Sequence, residues 1–255
     1  MALYCVEYAH CFYARSDDDG ATFSKPVDVT ATFDGFKPDY DWAVLAVGPA
    51  HGIKLRTGRL VVPVWMSTGK EAGGHRPSCV ATIYSDDAGK SWKRGAIVVD
   101  TPELKNPSET IVVELSDGRV LLNIRHENPE HRRAISMSKD GASGWSKPSL
   151  VDALYEPICM GSILRLSGDT PRIVYASPDP VAAGDKPGSR TRKNLTLRLS
   201  DDDARTWSVA KPLHPGPSAY SDLAQGPDGA IFCLYERDGS NIVCARFDEA
   251  WLRAK

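Results

Sequence analysis

Long hydrophobic runs are missing from this sequence of 255 residues. Its longest apolar stretches, such as 60–66, are far shorter than the roughly 20 residues of a membrane-spanning helix, so a membrane span is disfavoured. An excess of positive charge is missing too, because 31 basic residues stand against 33 acidic ones and the formal net charge is −2. Without a basic tail or patch, we expect no nucleic-acid partner. The first residues contain no basic segment ahead of a long apolar core, so no signal peptide is expected and the compartment stays open.

Closely spaced cysteine pairs are also missing. The six cysteines are scattered along the chain, at Cys5, Cys11, Cys79, Cys159, Cys233 and Cys244. Zinc sites in proteins use close pairs of Cys or His, and the histidines show no such spacing either, so we expect no metal site. An extended segment from Cys5 to Cys11 would span about 20 Å, which excludes a disulfide between them within one strand. We interpret the cysteines as small, buried apolar side chains.

Long segments with helical periodicity are equally rare. The apolar runs are short, rich in Val, Ile, Leu and Tyr, and bounded by Gly, Pro, Asp and Ser, which is typical of β-strands. Strands are predicted at 59–65, 79–84, 110–115, 120–125 and 231–235. Only 248–253 has the pattern of a short helix. With 18 prolines and 21 glycines interrupting the chain, the sequence predicts an all-β fold, organised as a single domain over 1–255.

One eight-residue frame, Ser-x-Asp-x-Gly-x-Thr-Trp, occurs four times. The copies begin at Ser16, Ser85, Ser138 and Ser200. Their spacings match about one four-stranded unit each, which is the periodicity of a β-propeller. This frame is the Asp-box. The carboxylate at its third position can accept backbone N–H groups across a hairpin turn, and the glycine at its fifth position supplies a positive φ. The seventh hydroxyl can tie the turn back, and the eighth, aromatic residue is expected to pack into the next layer.

Two copies of the box depart from the frame. Ala142 and Ala204 replace the glycine, and Gly144 replaces the hydroxyl residue, so we expect these turns to be strained or altered. A cation site in the aspartate runs 17–19 or 201–203 is the alternative function for the boxes. It is disfavoured because one hairpin loop supplies few converging oxygen ligands.

Several segments outside the boxes resemble the exo-α-sialidases (neuraminidases). They are 46–52, 109–118, 123–125, 192–199 and 218–223, the last of which reads Ser-Ala-Tyr-Ser-Asp-Leu. The resemblance covers nearly the whole chain, in the same order. It implies a propeller of the six-bladed sialidase type, of which this chain supplies four to five blades. It also implies hydrolysis of terminal sialic acids on glycans, with sialylated glycans or other terminal acidic sugars as partners and with no cofactor.

The resemblance assigns roles to five residues. Tyr220 corresponds to the catalytic nucleophile and Glu109 to the carboxylate that acts as its base. Arg125 and Arg192 correspond to two of the three arginines that bind the substrate carboxylate, and Glu236 corresponds to the acid that supports the remaining arginine. The chemistry is consistent, since a phenol, unlike a carboxylate, approaches a negatively charged sugar without repulsion. A guanidinium suits the carboxylate because it binds with two parallel hydrogen bonds.

Two elements of the family pattern have no counterpart. The Arg-Ile-Pro motif with the first arginine is absent from the sequence, and the acid/base aspartate has no match. We therefore expect an N-terminally truncated propeller whose open blade edges can self-associate. Three functions stay open: a retaining sialidase, a catalytically impaired propeller that binds sialic acid, and a hydrolase of a related nonulosonic or ulosonic acid. Taken singly, each of the five residues could have an ordinary structural role, and Arg132 and Arg133 stay unassigned.

Overall fold

A computed structural model describes residues 1–6, 10–69 and 74–254 of the chain. Short β-strands dominate this part of the molecule, as the apolar runs predict. In chain order they are β1 (Ala2–Val6), β2 (His10–Ala14), β3 (Val27–Asp28), β4 (Val44–Val47), β5 (Ile53–Lys54), β6 (Leu60–Ser67), β7 (Ser78–Ser85), β8 (Lys93–Asp100), β9 (Thr110–Glu114), β10 (Val120–Ile124), β11 (Arg132–Ser138), β12 (Ser149–Tyr155), β13 (Ser162–Arg165), β14 (Ile173–Pro178), β15 (Lys193–Ser200), β16 (Val209–Gln225), β17 (Ile231–Arg237) and β18 (Asn241–Phe247).

Two helices of five residues each accompany the strands in the described ranges. Helix α2 (Glu249–Arg253) was predicted, and the Asp248 carboxylate caps it by accepting the backbone N–H of Trp251 at 2.7 Å. Helix α1 (Thr30–Asp34) was not predicted, because it buries only Phe33 and so lacks an amphipathic period. No helix in the described residues is long and apolar enough to cross a membrane.

The strands of the described residues form four antiparallel sheets, which follow one another along the chain as the blades of a propeller do. The first holds β1–β3, the second β4–β8, the third β9–β12, and the fourth β13–β18. Strand β16 is 17 residues long; its first part pairs with β15 and its last part with β17. The fold is therefore an all-β propeller arrangement, as the repeats predicted.

The hydrophobic core lies between consecutive sheets. Ile111 and Val113 of the third sheet, for example, pack against Ile163 and Tyr175 of the fourth. Trp65 of the second sheet belongs to the same cluster as residues from β10 of the third. Face-to-face packing of neighbouring sheets is the layer arrangement of a propeller, and it leaves the loops at the strand ends free to form a site.

The Asp-boxes form the predicted hairpin turns. In the second box the Asp87 carboxylate accepts the hydroxyl of Ser85 at 2.8 Å and both the N–H and the hydroxyl of Ser91, at 2.9 and 2.6 Å. The Ser85 hydroxyl in turn accepts the N–H of Gly89 at 2.8 Å, and Gly89 has a φ of +86°. The same bonds recur around Asp18 and Asp202. The box aspartates are therefore occupied by their own turns, which supports their structural role.

The two boxes without glycine at the fifth position differ in the backbone conformation of the alanine that replaces it. Ala204 adopts the left-handed conformation itself, with a φ of +64°, at a cost of about 1–2 kcal/mol relative to glycine. In the third box Ala142 has no positive φ, and the left-handed residue there is Gly141, at the fourth position, which has a positive φ in every box. The expectation about the eighth residue was wrong for Phe23, which is 54% exposed. Trp207 does pack inward, against Tyr175 with ring centroids 6.0 Å apart.

Cys5 and Cys11 lie opposite each other across the β1–β2 pair. The expectation that they cannot bridge within one strand therefore does not apply, because the chain turns back between them. The N–H and C=O of Cys11 bond to Thr30 and Val29 on its other side, which makes Cys5 and Cys11 a non-hydrogen-bonded pair with close side chains. Both are free thiols.

Candidate active site

Tyr220 lies at an irregularity of strand β16. The pairing with β17 shifts between Ser218 and Ser221, so one extra residue is accommodated there as a β-bulge. The bulge removes the Tyr220 N–H from the regular ladder. The Glu236 carboxylate on β17 accepts that N–H at 3.1 Å. Glu236 thus supports the backbone from which the Tyr220 side chain projects.

Glu109 and Arg125 lie at the adjoining ends of two neighbouring strands. Glu109 immediately precedes β9 and Arg125 immediately follows β10, and the Arg125 N–H donates to the Glu109 carbonyl at 3.3 Å. This local pairing holds the two side chains together at one end of the third sheet. They meet Tyr220, which comes from the fourth sheet.

The three side chains form one hydrogen-bonded cluster. The Tyr220 hydroxyl donates to Glu109, and the Arg125 guanidinium pairs with the other oxygen of that carboxylate. Arg125 Nη1 also donates to the Tyr220 hydroxyl oxygen at 3.3 Å. Burial and then the negative charge of Glu109 raise the pKa of Tyr220, which keeps the phenol neutral until its proton is removed. Burial opposes the charge of Arg125, but the acidic groups around it, Glu109 first among them, together outweigh burial and raise the Arg125 pKa.

Arg192 approaches the same tyrosine from another side. Its guanidinium carbon lies 5.4 Å from the centre of the Tyr220 ring, which is within cation–π range. Its Nη2 donates to the Ile158 carbonyl at 2.9 Å. The structure thus brings the other four predicted residues around Tyr220, although Glu236 contacts its backbone and not its hydroxyl.

Two cavities are lined by the predicted site residues. One, of about 330 Å³, is lined by Glu109, Arg125 and Tyr220 and also by Trp65 and Arg76. The other, of about 350 Å³, is lined by residues that include Arg192 and Glu236. Arg125 therefore lines the cavity that Tyr220 also lines, and Arg192 lines the other.

Sequence reasoning missed the wall of the first cavity. Trp65 was seen only as part of an apolar strand, and Arg76 carried no motif. Arg76 pairs with Glu127, which also accepts the Asn106 side chain at 3.0 Å. Burial opposes the charge of Glu127, but the hydrogen bonds from Arg76 and Asn106 and the nearby guanidinium charges together outweigh burial, so the Glu127 pKa is lowered. These residues sit on loops and strand ends, where periodicity gives no signal.

A second missed feature is a link from the second sheet to the fourth. His51 Nδ1, in the segment between β4 and β5, lies 2.7 Å from the Asp222 carboxylate on β16. Ser162 donates to the same carboxylate oxygen at 2.9 Å. Asp222 follows Tyr220 by two residues, so this link anchors the strand that carries the tyrosine. The Tyr-Ser-Asp segment and His51 were both noted in the sequence, but nothing there indicated their contact.

Chemically, the cluster combines a neutral phenol with a carboxylate positioned to accept its proton. Two guanidinium groups nearby are suited to hold an anionic ligand group. In the described ranges of the chain, no group of three or more His, Cys, Asp or Glu side chains could hold a metal ion.

Residues 5–233 match the family model of the BNR repeat-like domain. The chain is 34% identical to the sialidase of Micromonospora viridifaciens, over 95% of this chain and 36% of that protein. It is 29% identical to human sialidase-3, over 89% of this chain and 62% of that protein. The chain thus spans only between about a third and two thirds of the length of these relatives.

Solved structures agree with these matches. A Hadza microbial sialidase superposes with a TM-score of 0.79 at 26% identity, over 95% of this chain and 44% of that one. The intramolecular trans-sialidase of Ruminococcus gnavus, at 22% identity, has a TM-score of 0.75 over 96% of this chain and 52% of that one, which shows the shared fold. The chain therefore belongs to the BNR repeat-like domain family, and its relatives are sialidases.

Proposed function

We propose that this chain is a glycoside hydrolase of the exo-α-sialidase type, which removes terminal sialic acids with retention of configuration. The observation that carries the proposal is the hydrogen bond between the Tyr220 hydroxyl and Glu109, with Arg125 and Arg192 on either side of the ring. A purely structural role for Tyr220 would not account for the partly buried carboxylate and the two guanidinium groups around it. Sialidase relatives along 95% of the chain support the same activity.

In the first step the Tyr220 oxygen attacks the anomeric carbon while Glu109 takes the phenol proton. The bond to the leaving group breaks, and the sugar is held on Tyr220 as a covalent intermediate. Arg125 and Arg192 bind the sugar carboxylate, which lies on the same carbon. In the second step water attacks that carbon and loses a proton to the solvent, Tyr220 leaves, and the proton held by Glu109 returns to the phenol. Two inversions at one carbon give net retention.

Protonation of the leaving group is the step for which the sequence offers no assigned residue. An activated aryl leaving group departs without a proton, whereas a sugar alcohol requires one. We therefore expect aryl sialosides to be cleaved much faster than natural glycans by this chain.

The test is hydrolysis of a fluorogenic aryl sialoside by the purified chain and by Tyr220→Phe. The phenylalanine keeps the ring beside Arg192 but removes the nucleophile, so we expect kcat/KM to fall by at least about 100-fold. Tyr84→Phe is the matched control, because this tyrosine lies in the second sheet and away from the cluster. Equal turnover by the parent and by Tyr220→Phe would contradict the mechanism.

A second candidate function, sialic-acid binding without catalysis, has one observation in its favour. Glu109 already pairs with Arg125, so one oxygen of the carboxylate that the hydrolase needs as its base is engaged. A folded parent that binds sialic acid saturably, but turns over no aryl sialoside, would establish the binding function and exclude the hydrolase.

A further inference from the structure

A buried ion pair lies next to the proposed site and takes no part in the mechanism above. Arg133 and Glu156 are 2.6 Å apart, and both side chains are fully buried, which no other ion pair of the described residues shares. Burial opposes the charge of Arg133, but the charge and hydrogen bond of Glu156, together with Tyr175, outweigh burial, so the Arg133 pKa is raised and the side chain stays charged. Arg133 had no assignment from the sequence.

On one side the pair is bonded to the strand that carries Arg125. Arg133 Nε donates to the Asn123 side-chain oxygen at 2.6 Å, and Nη2 donates to the Asn123 carbonyl at 3.2 Å. Asn123 precedes Arg125 by two residues and shares its face of the strand. The β10–β11 register pairs Ile124 with Ala134, so one further step places Arg133 opposite Arg125.

On the other side the pair is bonded to the loop that holds Arg192. Glu156 accepts the Cys159 N–H at 3.0 Å, and Arg133 Nη1 donates to the Cys159 carbonyl at 3.0 Å. The preceding residue, Ile158, has a φ of +60°, an outlier for a β-branched side chain that persists only when its surroundings impose it. Its carbonyl accepts Arg192 at 2.9 Å.

Stability alone does not account for this arrangement. Two charges removed from water gain little net stability from each other, and well-packed apolar residues often do as well in their place. What an apolar pair cannot do is make directed bonds to Asn123 and to Cys159 at once. The distinctive property of the pair is therefore geometric, because it connects the supports of two arginines that come from different sheets.

We propose that Arg133 and Glu156 are positioning residues that set the spacing between Arg125 and Arg192, so that both guanidiniums bind one ligand carboxylate. The proposal rests on the proposed function for its ligand, an acidic sugar. Neither residue touches the substrate. Removal of the pair should weaken binding of the carboxylate while the Tyr220–Glu109 hydrogen bond persists.

The test uses the double variant Arg133→Met/Glu156→Leu, because a single truncation leaves a buried charge unpaired and the chain can fail to fold. Arg172→Met/Glu249→Leu is the matched control, an ion pair at helix α2 outside the site. With an aryl sialoside we expect KM to rise about 10- to 100-fold in the first variant, with a smaller change in kcat. The control variant should keep the parental KM. Arg133→Lys keeps the positive charge but cannot make the several directed bonds of the guanidinium group. We therefore expect its KM to lie between that of the parent and that of Arg133→Met/Glu156→Leu.

A crystal structure of each variant provides a readout that needs no activity. We expect Arg192 to leave the Ile158 carbonyl in Arg133→Met/Glu156→Leu. If both arginines keep their places in that variant, or if its KM equals that of the control, the positioning role is wrong. A parent that neither binds nor cleaves sialosides would instead refute the proposed function, and the position of Arg192 would still decide the structural claim.

Discussion

Replacement of Ser200 by alanine tests how the Asp-boxes stabilise the propeller. The Ser200 side chain is fully buried, and its hydroxyl accepts the N–H of Ala204 at 2.9 Å and donates to Asp202 at 2.8 Å. Ala204 is itself only 7% exposed, so water cannot replace the lost acceptor. A buried N–H without a partner costs about 1–3 kcal/mol, and loss of the bond to the carboxylate adds to it, so we expect a total of about 2–3 kcal/mol.

The first box supplies the matched control. Ser16 makes the same bonds to Asp18 and to Gly20, at 2.8 Å each, but this turn lies at the surface and water can take over. Ser16→Ala should therefore cost less than about 1 kcal/mol. In urea, with a slope of about 2–3 kcal/mol per M for a chain of this size, Ser200→Ala should lower the midpoint by about 1 M. Equal midpoint shifts for the two variants would refute the argument from burial.

Two further outcomes are expected. Hydrogen bonds from the threonine of the box lower the pKa of Asp18 to about 2. The pKa of Asp202 is lowered too, because the hydrogen bonds from its threonine, its serine and the backbone together outweigh burial. Since the unfolded-state pKa of an aspartate is near 3.9, the stability that these lowered pKa values contribute is present above about pH 4 and is lost as the pH falls towards 2. The urea midpoint of unfolding, measured between pH 5 and pH 2, should fall accordingly. In Asp202→Asn the midpoint should depend less steeply on pH. Oxidised glutathione should join Cys5 to Cys11 in a disulfide, because the partly exposed Cys5 faces Cys11 and its pKa is lowered by the thiol of Cys11. Peptide mapping detects the bond, and a stable glutathione adduct on Cys5 with Cys11 still reduced would contradict this geometry.

The sequence predicted the fold where local rules decide it. The box frame determines its own turn through neighbouring hydroxyls and a carboxylate, and the strands follow from short β-branched runs. The exceptions depend on tertiary surroundings. Ala204 takes a left-handed φ although it is not glycine, and Phe23 stays exposed because no layer covers it. The prediction for Cys5 and Cys11 concerned a single extended strand, whereas the two residues lie on paired antiparallel strands, which the sequence did not show.

The site was predicted by resemblance, residue by residue, and not by spacing. Tyr220 and Glu109 are 111 positions apart in the sequence, and no local pattern shows that they touch. The supporting residues were harder still to find. Arg133 stands in an ordinary strand, and its partner Glu156 lies 23 positions away. Pairing of buried charges between neighbouring strands becomes visible only once the register between those strands is known.

Strand β16 has a consequence for modular exchange between propellers. Blades are often treated as interchangeable units, but β16 pairs with β15 over its first part and with β17 over its last part. A recombination junction between these two parts would cut within a few residues of Tyr220. Shuffling or circular permutation should therefore move 162–247 as one block, and grafting the last hairpin alone would leave the nucleophile without its bulge.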